Sequence, residues 1–328
     1  MKIVIPTAGL GTRLRPHTWS KPKPLVSVAG QPVLGHVLDN LKAIPDVEEY
    51  VFIVGYLGDQ IEAYLQEIHP DLPVRFVLQE EMLGQSHAIW LAREGLTGPM
   101  CMIFVDTLIE TDLSILQDAP GEAIAWVKEV EDPRRFGVVV PDSQGYVQKI
   151  IEKPDDVSNN LAVVGFYYFS EAEVLIQAIE SQMEAGTRLG TEFYLADAIN
   201  VMLEKGLRMR IGTVDVWVDC GKPDAILETN VHLLEHGRDN STEAIRDGVA
   251  IVPPVYIHPT AEITESVIGP YASISEGCVI QRSILRNCVL DTGTQLENVV
   301  LSESLIGRGV RIVGDEQALN LGDTSEVG

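Results

Sequence analysis

Residues 2–16, KIVIPTAGLGTRLRP, contain the stretch that decides the fold. A short apolar run leads directly into a loop with two glycines, an order typical of a buried strand followed by a phosphate-binding turn. Glycine lets the backbone approach a ligand closely, so that amide N–H groups can bind phosphate oxygens. Two well-known phosphate motifs do not match, because Leu14 replaces the third glycine of GxGxxG and the GK[ST] ending of a P-loop is absent.

Positive charge is concentrated around this loop. The first acidic residue is Asp39, although the 328 residues include 48 Asp and Glu and carry a net charge of −24. Arg13 and Arg15 follow the glycines, and the segment KPKP at residues 21–24 places Lys23 between two prolines that exclude it from a helix. Glycine amides, an arginine and a fixed lysine predict a polyphosphate site. The overall charge argues against nucleic acid or an anionic membrane as a partner.

The first 236 residues alternate strand-like and helical patterns, which indicates an α/β layered fold. The first four predicted strands are continuous apolar runs, as expected of strands that are buried on both faces of a sheet. The predicted strands are Lys2–Pro6, Tyr50–Gly55, Val74–Leu78, Met100–Asp106, Ala123–Lys128, Phe136–Pro141, Val147–Ile151 and Ala162–Phe169. The predicted helices are Val33–Ile44, Asp59–Ile68, Gln85–Glu94, Glu171–Met183, Glu192–Lys205 and Asp224–His236.

The rest of the chain is repetitive. A polar stretch at residues 237–250 is predicted to be a linker, and residues 319–328 are predicted to be a peripheral tail. Over residues 251–318 the pattern is that of the hexapeptide repeats of a parallel β-helix, in which each short face contributes one aliphatic side chain to a stacked core. The aliphatic residues that recur every five or six positions are Ile257, Ile263, Ile268, Ile274, Ile280, Leu285, Leu290, Leu296, Leu301, Ile306 and Ile312.

Several sequence features bear on location. No apolar run approaches the ~18–20 residues that a membrane helix needs, and the N-terminal segment lacks the features of a signal peptide. The four cysteines form no CxxC pair, which is typical of reduced thiols in the cytosol. We therefore expect a cytoplasmic protein with no membrane partner.

The segment GLGTRLRPHTWSKPKPLVSVAGQPVLGHVL, residues 9–38, closely resembles the signature of sugar-1-phosphate nucleotidyltransferases. That family includes glucose-1-phosphate thymidylyl- and uridylyltransferases and mannose-1-phosphate guanylyltransferases. The resemblance covers essentially the whole chain, since many members carry a left-handed β-helix at the C-terminus. It implies a Rossmann-like three-layer α/β sandwich as the catalytic domain, residues 1–236, followed by a left-handed parallel β-helix.

On the nucleotide side, the resemblance implies that Arg13 and Lys23 are catalytic and that Gln79 and Gly84 contact the base. It further implies that the loop binds the triphosphate, through Ala8, Gly9, Leu10, Gly11 and Thr12. The segment LGQSHAI at residues 83–89 resembles an LGTAHAI-like form found in thymidylyl- and uridylyltransferases, although Gln85 and Ser86 depart from it.

On the sugar side, the resemblance implies that Glu152 and Lys153 of the EKP motif bind the sugar hydroxyls and the sugar phosphate. Gly137 and Gly165 are implied to line the sugar pocket. Asp106 and Asp219 are implied to hold Mg²⁺, because each lies in a segment that matches a metal-binding segment of the family. The residues that match on this side and at the metal are Gly137, Glu152, Lys153, Gly165, Asp106 and Asp219; Val105 stands where the family usually has glycine.

The implied reaction is attack by the phosphate of a sugar 1-phosphate on the α-phosphorus of a nucleoside triphosphate, with release of pyrophosphate. The resemblance favours dTTP or UTP and glucose 1-phosphate. Guanylyl transfer to mannose 1-phosphate and a non-catalytic, sugar-nucleotide-binding regulatory subunit are the alternatives. Acyl transfer by the β-helix is disfavoured, because no histidine follows His258 to act as a base. The resemblance also favours a homo-oligomer.

Overall fold

A computed structural model describes residues 1–118 and 121–315, so the predicted tail at residues 319–328 lies outside the described part. The chain divides into two compact units. The first comprises Met1–Val26 and Pro32–Ala225, and the second comprises Ser27–Gln31 and Ile226–Gly328. Every helix among the described residues is too short or too polar to span a lipid bilayer.

The first 233 residues alternate strands and helices. The strands are β1 (Lys2–Pro6), β2 (Ser27–Val28), β3 (Gln31–Pro32), β4 (Glu49–Val54), β5 (Val74–Leu78), β6 (Met100–Ile103), β7 (Thr107–Glu110), β8 (Ala123–Glu129), β9 (Gly137–Pro141), β10 (Val147–Glu152), β11 (Leu161–Phe169), β12 (Met209–Thr213) and β13 (Val216–Asp219). The helices are α1 (Val33–Leu41), α2 (Gly58–Ile68), α3 (Gln85–Leu91), α4 (Ala172–Ala185), α5 (Leu195–Glu204) and α6 (Pro223–Leu233).

One large sheet organises the first unit. Its strand order is β10-β9-β11-β6-β1-β4-β5, with β8 paired to both β11 and β12. The central strand β1 runs parallel to β4 and β6, whereas β11 runs antiparallel to β6. Val4 packs into a core with residues of α3, α4 and α5, and its neighbours Ile3 and Ile5, which point to the other face, are also fully buried. The layered α/β fold expected from the sequence is therefore confirmed.

Two details of the sheet differ from the sequence prediction. The strand β5 is not buried on both faces, because it lies at the edge of the sheet and leaves Leu78 57% exposed. The predicted strand Met100–Asp106 ends at Ile103, and the N–H of the next residue, Phe104, donates a hydrogen bond to the carbonyl of Gly165 (2.9 Å). The chain resumes as β7, which pairs antiparallel with β13.

The second unit is built from short parallel strands. They are β14 (Val249–Ile251), β15 (Val255–Ile257), β16 (Glu262–Thr264), β17 (Ser266–Ile268), β18 (Ala272–Ile274), β19 (Val279–Gln281), β20 (Ile284–Leu290), β21 (Gln295–Glu297), β22 (Val300–Ile306) and β23 (Arg311–Val313). Each strand from β14 to β21 pairs in parallel with a later strand at an offset of 16 or 17 residues, as in the pairs Ile268–Leu285 and Leu285–Leu301. This pairing forms a parallel β-helix, as predicted.

The aliphatic residues of the periodic pattern point inward. Those from Ile257 to Leu296 are buried and form one core with Cys278 and Cys288. The three that follow, Leu301, Ile306 and Ile312, are partly buried against the same core. Each three-residue strand from β15 to β23 therefore contributes one aliphatic side chain of the pattern to the interior, and the longer strands β20 and β22 contribute two each.

Two further segments belong to the second unit. The hairpin of β2 and β3 is inserted there, and a Cβ placed on Gly30 would lie 2.5 Å from the Tyr256 ring. Asn230 of α6 is fully buried, accepts a hydrogen bond from the N–H of Ala29, and donates one to the carbonyl of Tyr271. The residues predicted as a linker at 237–250 also bond to this unit, since Asp239 accepts the N–H of Val255.

Candidate active site

The glycine loop forms one wall of a cavity of about 470 Å³, here called the loop cavity. The loop follows β1 directly, as the sequence predicted, and opens at the carboxyl end of that strand. Ligands of open α/β sheets bind outside the carboxyl ends of the strands. The predicted residues that line the loop cavity are Ala8, Gly9, Leu10, Gly11, Thr12, Arg13, Lys23, Gln79, Gly84 and Asp106.

The conformation of the loop depends on Gly11. Its φ of +60° lies in the left-handed region, and a Cβ at this position would lie 3.1 Å from side-chain atoms of Lys23 and of Thr18. The Thr18 hydroxyl donates a hydrogen bond to the Gly11 carbonyl (2.8 Å). A short 3₁₀ helix, Thr12–Leu14, begins at this point and contains Arg13.

Two cations converge on Asp106. Lys23 Nζ lies 2.6 Å from Asp106 Oδ2, and Arg13 Nη2 lies 3.8 Å from the same oxygen. Burial by itself would raise the pKa of the Asp106 carboxyl, but Lys23 and Arg13 outweigh burial, and the pKa lies below its ordinary value. Asp106 is therefore an ionised carboxylate at neutral pH, in the charge state that a cation ligand requires.

Asp219 reaches the same region from another strand. It pairs with Thr107 in the β7–β13 ladder, and its Oδ1 accepts the N–H of Gly221 (2.7 Å). The N–H of Cys220 bonds to the Asp106 carbonyl, which ties the two aspartate segments together. Residues 1–118 and 121–315 contain no cluster of three or more His, Cys, Asp or Glu side chains suited to a metal ion. A pair of carboxylates with remaining positions for water and phosphate oxygens is the donor set that Mg²⁺ uses with nucleotides, so these residues fit it.

Gln79 and Gly84 both line the loop cavity and contact each other. Gln79 is only 5% exposed, and its Nε2 donates to the Gly84 carbonyl (3.2 Å). Gly84 has φ +99° and ψ −176°, a conformation essentially restricted to glycine. A Cβ there would lie 2.6 Å from the backbone of Phe193.

A second, smaller cavity of about 230 Å³ adjoins the first and is called here the glutamate cavity. Both cavities are lined by Arg13, Gln85, Phe104 and Asp106, so they meet at the arginine and the aspartate. The predicted residues that line the glutamate cavity are Arg13, Asp106, Gly137, Glu152, Gly165 and Asp219.

Glu152 ends β10 and lies opposite Gly137 of β9 in the antiparallel ladder. A Cβ on Gly137 would lie 3.2 Å from Glu152 Oε2, so glycine leaves room for the carboxylate. Burial raises the pKa of Glu152, and the nearby charges of Asp197 and Glu192 raise it further, while Lys153 acts in the opposite direction. A carboxylate held in this environment gains from hydrogen-bond donors such as hydroxyls.

Lys153 is the one predicted site residue that lines neither cavity. Its φ is +47°, and its Nζ donates to the Tyr194 hydroxyl (2.6 Å) while lying 4.4 Å from the Tyr194 ring centroid. Burial alone would lower the pKa of Lys153, but the hydrogen bond to Tyr194 and the charge of Glu152 raise it above its ordinary value. The ammonium, 3.9 Å from Glu152, is held beside the glutamate cavity.

Gly165 shapes the floor of the glutamate cavity. It lies in β11 where the pairing with β8 shifts register between Val163 and Tyr167. Its φ is +80°, and a Cβ there would lie 2.6 Å from the Phe104 ring. The glycine is therefore needed for the close approach of the segment that leads to Asp106.

Several residues that line these cavities were not assigned to the site from the sequence. They are Met82, Gln85, Phe104, Glu192, Arg135, Phe136 and Trp217. Gln85 lies in the segment LGQSHAI, and Arg135 and Phe136 directly precede the predicted site residue Gly137, so the sequence around these three residues pointed toward the site. Glu192 carried none, because a single carboxylate before a helix is ordinary.

Comparison with curated proteins gives relatives along almost the whole chain. The chain is 33% identical to low-salt glycan biosynthesis nucleotidyltransferase Agl11 of Haloferax volcanii, over 95% of this chain and 91% of that protein. It is 28% identical to mannose-1-phosphate guanylyltransferase 1 of Arabidopsis thaliana, over 94% and 86% respectively. It is also 28% identical to glucose-1-phosphate thymidylyltransferase of Streptomyces griseus, over 99% and 98%.

A solved structure has the same fold. A UDP-glucose pyrophosphorylase complexed with UDP-glucose superimposes with a TM-score of 0.60 at 21% identity, over 72% of this chain and 98% of that chain. The family described as nucleotidyl transferase matches residues 2–236. The resemblance to sugar-1-phosphate nucleotidyltransferases is thus confirmed, and the chain belongs to the nucleotidyl transferase family and is a nucleotidyltransferase enzyme.

Proposed function

We propose that this enzyme transfers a nucleotidyl group from a nucleoside triphosphate to a sugar 1-phosphate and releases pyrophosphate. The observation that carries this proposal is the junction of the two cavities at Arg13 and Asp106. The loop cavity offers glycine amides and two cations to a triphosphate, and the glutamate cavity offers a buried carboxylate to hydroxyls. The triphosphate in the loop cavity and the phosphate of the sugar 1-phosphate in the glutamate cavity would then meet at Arg13 and Asp106.

The residues would act mainly by positioning and by neutralising charge, since phosphoryl-type transfer needs no protein nucleophile. Arg13 would neutralise the triphosphate as charge develops in the transition state, and Lys23 would assist it. Lys153, held by Tyr194, would bind the phosphate of the sugar 1-phosphate. Glu152 would accept hydrogen bonds from sugar hydroxyls.

We propose Mg²⁺ as the cofactor, held by Asp106 and Asp219. When bound, it supplies positive charge to the phosphate oxygens during the transfer. Lys23 bonds to Asp106 in this structure, so the Asp106 carboxylate would contact both the Lys23 ammonium and the Mg²⁺ ion.

For the substrates, dTTP or UTP and glucose 1-phosphate are favoured. The near-complete overlap with a glucose-1-phosphate thymidylyltransferase supports this choice. The overlap with a mannose-1-phosphate guanylyltransferase supports guanylyl transfer to mannose 1-phosphate as the second candidate.

We further propose a cytoplasmic homo-oligomer. The four cysteines are buried and form no disulfide bond with one another, in keeping with a reducing compartment. An outward-facing row on the β-helix supports self-association, because Val267, Ile284 and Val300 stack in register and Val300 is 75% exposed. Size-exclusion chromatography with light scattering on the protein and on Val300→Glu should show a smaller species for the variant.

The test of function is pyrophosphate release from a matrix of ATP, CTP, GTP, UTP and dTTP against several sugar 1-phosphates, with Mg²⁺ and with EDTA. We expect one or two combinations to dominate, with loss of activity in EDTA and recovery on addition of Mg²⁺. Lack of pyrophosphate release from every combination, with the protein folded, would contradict the proposal.

A further inference from the structure

We propose that His87 is a positioning residue that fixes the Gln79 carboxamide as a hydrogen-bond acceptor toward the base, so that the site takes a base with a ring N–H. This inference rests on the proposed function only in that the loop cavity holds a nucleotide. The Gln79 side chain lies between a backbone carbonyl and a histidine ring nitrogen, and these two contacts determine which end of the amide faces the cavity.

The first contact is to a carbonyl that cannot move. Gly84 lies in a conformation that only glycine adopts readily, against the backbone of Phe193. Phe193 also bonds to the backbone on either side of Gly84. Its N–H donates to the Leu83 carbonyl (2.8 Å), and its carbonyl accepts the N–H of Ser86 (3.0 Å). The Gly84 carbonyl is therefore a fixed acceptor.

A carbonyl oxygen only accepts hydrogen bonds, so the Gln79 atom that lies 3.2 Å from it is the amide nitrogen. The same nitrogen lies 3.3 Å from His87 Nδ1. Both hydrogens of the Gln79 amide thus have acceptors, provided that Nδ1 carries a lone pair. No hydrogen bond to Gln79 Oε1 comes from the residues that the structure describes, and Gln79 lines the loop cavity.

The surroundings of His87 keep its ring neutral. Burial lowers its pKa, against the opposing charge and backbone hydrogen bond of Glu81. The His87 ring stacks on Trp90 of the same helix, with 6.3 Å between the ring centroids. The Trp90 ring is in turn contacted by the Arg93 guanidinium, which lies 3.8 Å from its centroid. A neutral, stacked imidazole can present Nδ1 as an acceptor in a fixed direction.

This arrangement leaves Gln79 with an oxygen and no spare N–H for the base. Uracil, thymine and guanine carry a hydrogen on a ring nitrogen of the pairing edge, which an oxygen can accept. The equivalent ring nitrogens of cytosine and adenine are themselves acceptors, so they face Oε1 without a hydrogen between them. A polar site that hydrogen-bonds one analogue and leaves the other unpaired discriminates strongly between them.

The experiment compares UTP, GTP, CTP and ATP on the full-length wild type, His87→Leu and His87→Asn. Leucine removes the acceptor, whereas asparagine carries an oxygen close to the position of Nδ1. We expect the wild type to prefer UTP or GTP. In His87→Leu, the ratio of kcat/KM for that nucleotide over CTP should fall about tenfold, the change expected for loss of one well-formed hydrogen bond. The loss should appear in the KM of the nucleotide and not in that of the sugar 1-phosphate, and His87→Asn should restore the ratio.

The matched control is His258→Leu, a histidine of the β-helix that bonds to Thr260, which should keep the wild-type ratio. Calorimetric binding of UTP and CTP without any sugar reports on His87 even if no pyrophosphate is formed, so failure of the proposed function is distinguishable. A wild type that prefers CTP or ATP would overturn the inference. An unchanged ratio in His87→Leu, or a His87→Asn variant that binds nucleotides like His87→Leu, would overturn it as well.

Discussion

Loss of a single negative charge at Asp106 or Asp219 should lower turnover strongly. Replacement of either by asparagine keeps the shape of the side chain and removes a negative charge from the proposed cation site. We expect turnover to fall by about 10²-fold or more, because electrostatic groups at a phosphoryl centre act directly on the transition state. Steady-state pyrophosphate release at limiting Mg²⁺ measures the effect. Asp112→Asn, an exposed aspartate before a surface turn, is the control. Wild-type turnover in either variant would disprove the assignment.

Lys153 is expected to act on one substrate only. Its ammonium is held by Tyr194 beside the glutamate cavity, so Lys153→Ala should raise the KM of the sugar 1-phosphate far more than that of the nucleotide. An increase of roughly 10- to 100-fold follows from the loss of one charge-assisted hydrogen bond to phosphate. Lys149→Ala, an exposed lysine of the strand β10 that directly precedes Lys153, is the matched control. Equal increases in the KM of both substrates would contradict the assignment of Lys153 to the sugar 1-phosphate.

Glu152 should reduce stability at neutral pH. Burial raises its pKa above the value in the unfolded chain, so the folded state holds its proton more tightly. The stabilisation from that proton is complete at pH below the unfolded pKa and is lost as pH rises through the folded pKa. Glu152→Gln should therefore raise the free energy of unfolding at pH 7 and change it little near pH 4, while raising the KM of the sugar 1-phosphate. Urea denaturation at both pH values tests this, with Glu131→Gln as the exposed control; a less stable variant at pH 7 would contradict it.

Among the secondary-structure elements, Gly84 before α3 is where a single methyl group should be most costly. Gly84→Ala must place a Cβ 2.6 Å from the Phe193 backbone at φ +99°. We expect a loss of roughly 1–3 kcal/mol of stability from backbone strain, together with weaker nucleotide binding. Gly98→Ala is the matched control, because Gly98 also has positive φ (+68°) but has open space around its Cβ position. Thermal unfolding and nucleotide titration on both variants would show whether the contact with Phe193 is responsible.

The periodicity of the sequence predicted secondary-structure elements well where the pattern of residues was set by burial alone. The strand Lys2–Pro6 and the inward aliphatic residues of the β-helix are found where expected, because burial of one face leaves a regular pattern. The irregularity of β11 at Gly165 could not be predicted in this way. Its need for glycine arises from the Phe104 ring, which is distant in sequence and comes close only in the fold.

The pair β7 and β13 shows the same limit. Both strands are four residues long, too short for a periodic signal, and their pairing depends on residues more than 100 positions apart. The edge position of β5 was also hidden, since an apolar strand at an edge and one at the centre have similar composition. The motifs identified the candidate site residues without this knowledge, but the role of Tyr194 beside Lys153 needed the coordinates.

For the whole molecule, the division into units leads to a prediction about truncation. All candidate site residues lie in the first unit, so a chain that stops near Gly237 should keep pyrophosphate release. It would lose the partners of the β2–β3 hairpin and of Asn230, namely Tyr256, Tyr271 and Ser273. We expect an active fragment with poor solubility and a changed oligomeric state.

Size-exclusion chromatography with the pyrophosphate assay measures both properties. A chain that stops after Asp315, which keeps every described residue, is the control and should behave like the full-length protein. A soluble, folded fragment without activity, or acyl transfer from acetyl-CoA by the intact protein, would show that the β-helix contributes chemistry.

The regular step of the parallel ladder also restricts how the gene can change in length. Because Ile268 pairs with Leu285 and Leu285 with Leu301, a deletion or duplication of one complete turn, 16 or 17 codons, would restore every backbone pairing. A shift of one or two codons would instead rotate the aliphatic residues of all later strands out of the interior. Relatives with longer or shorter helices of this kind should therefore differ by whole turns, with short insertions confined to the corners.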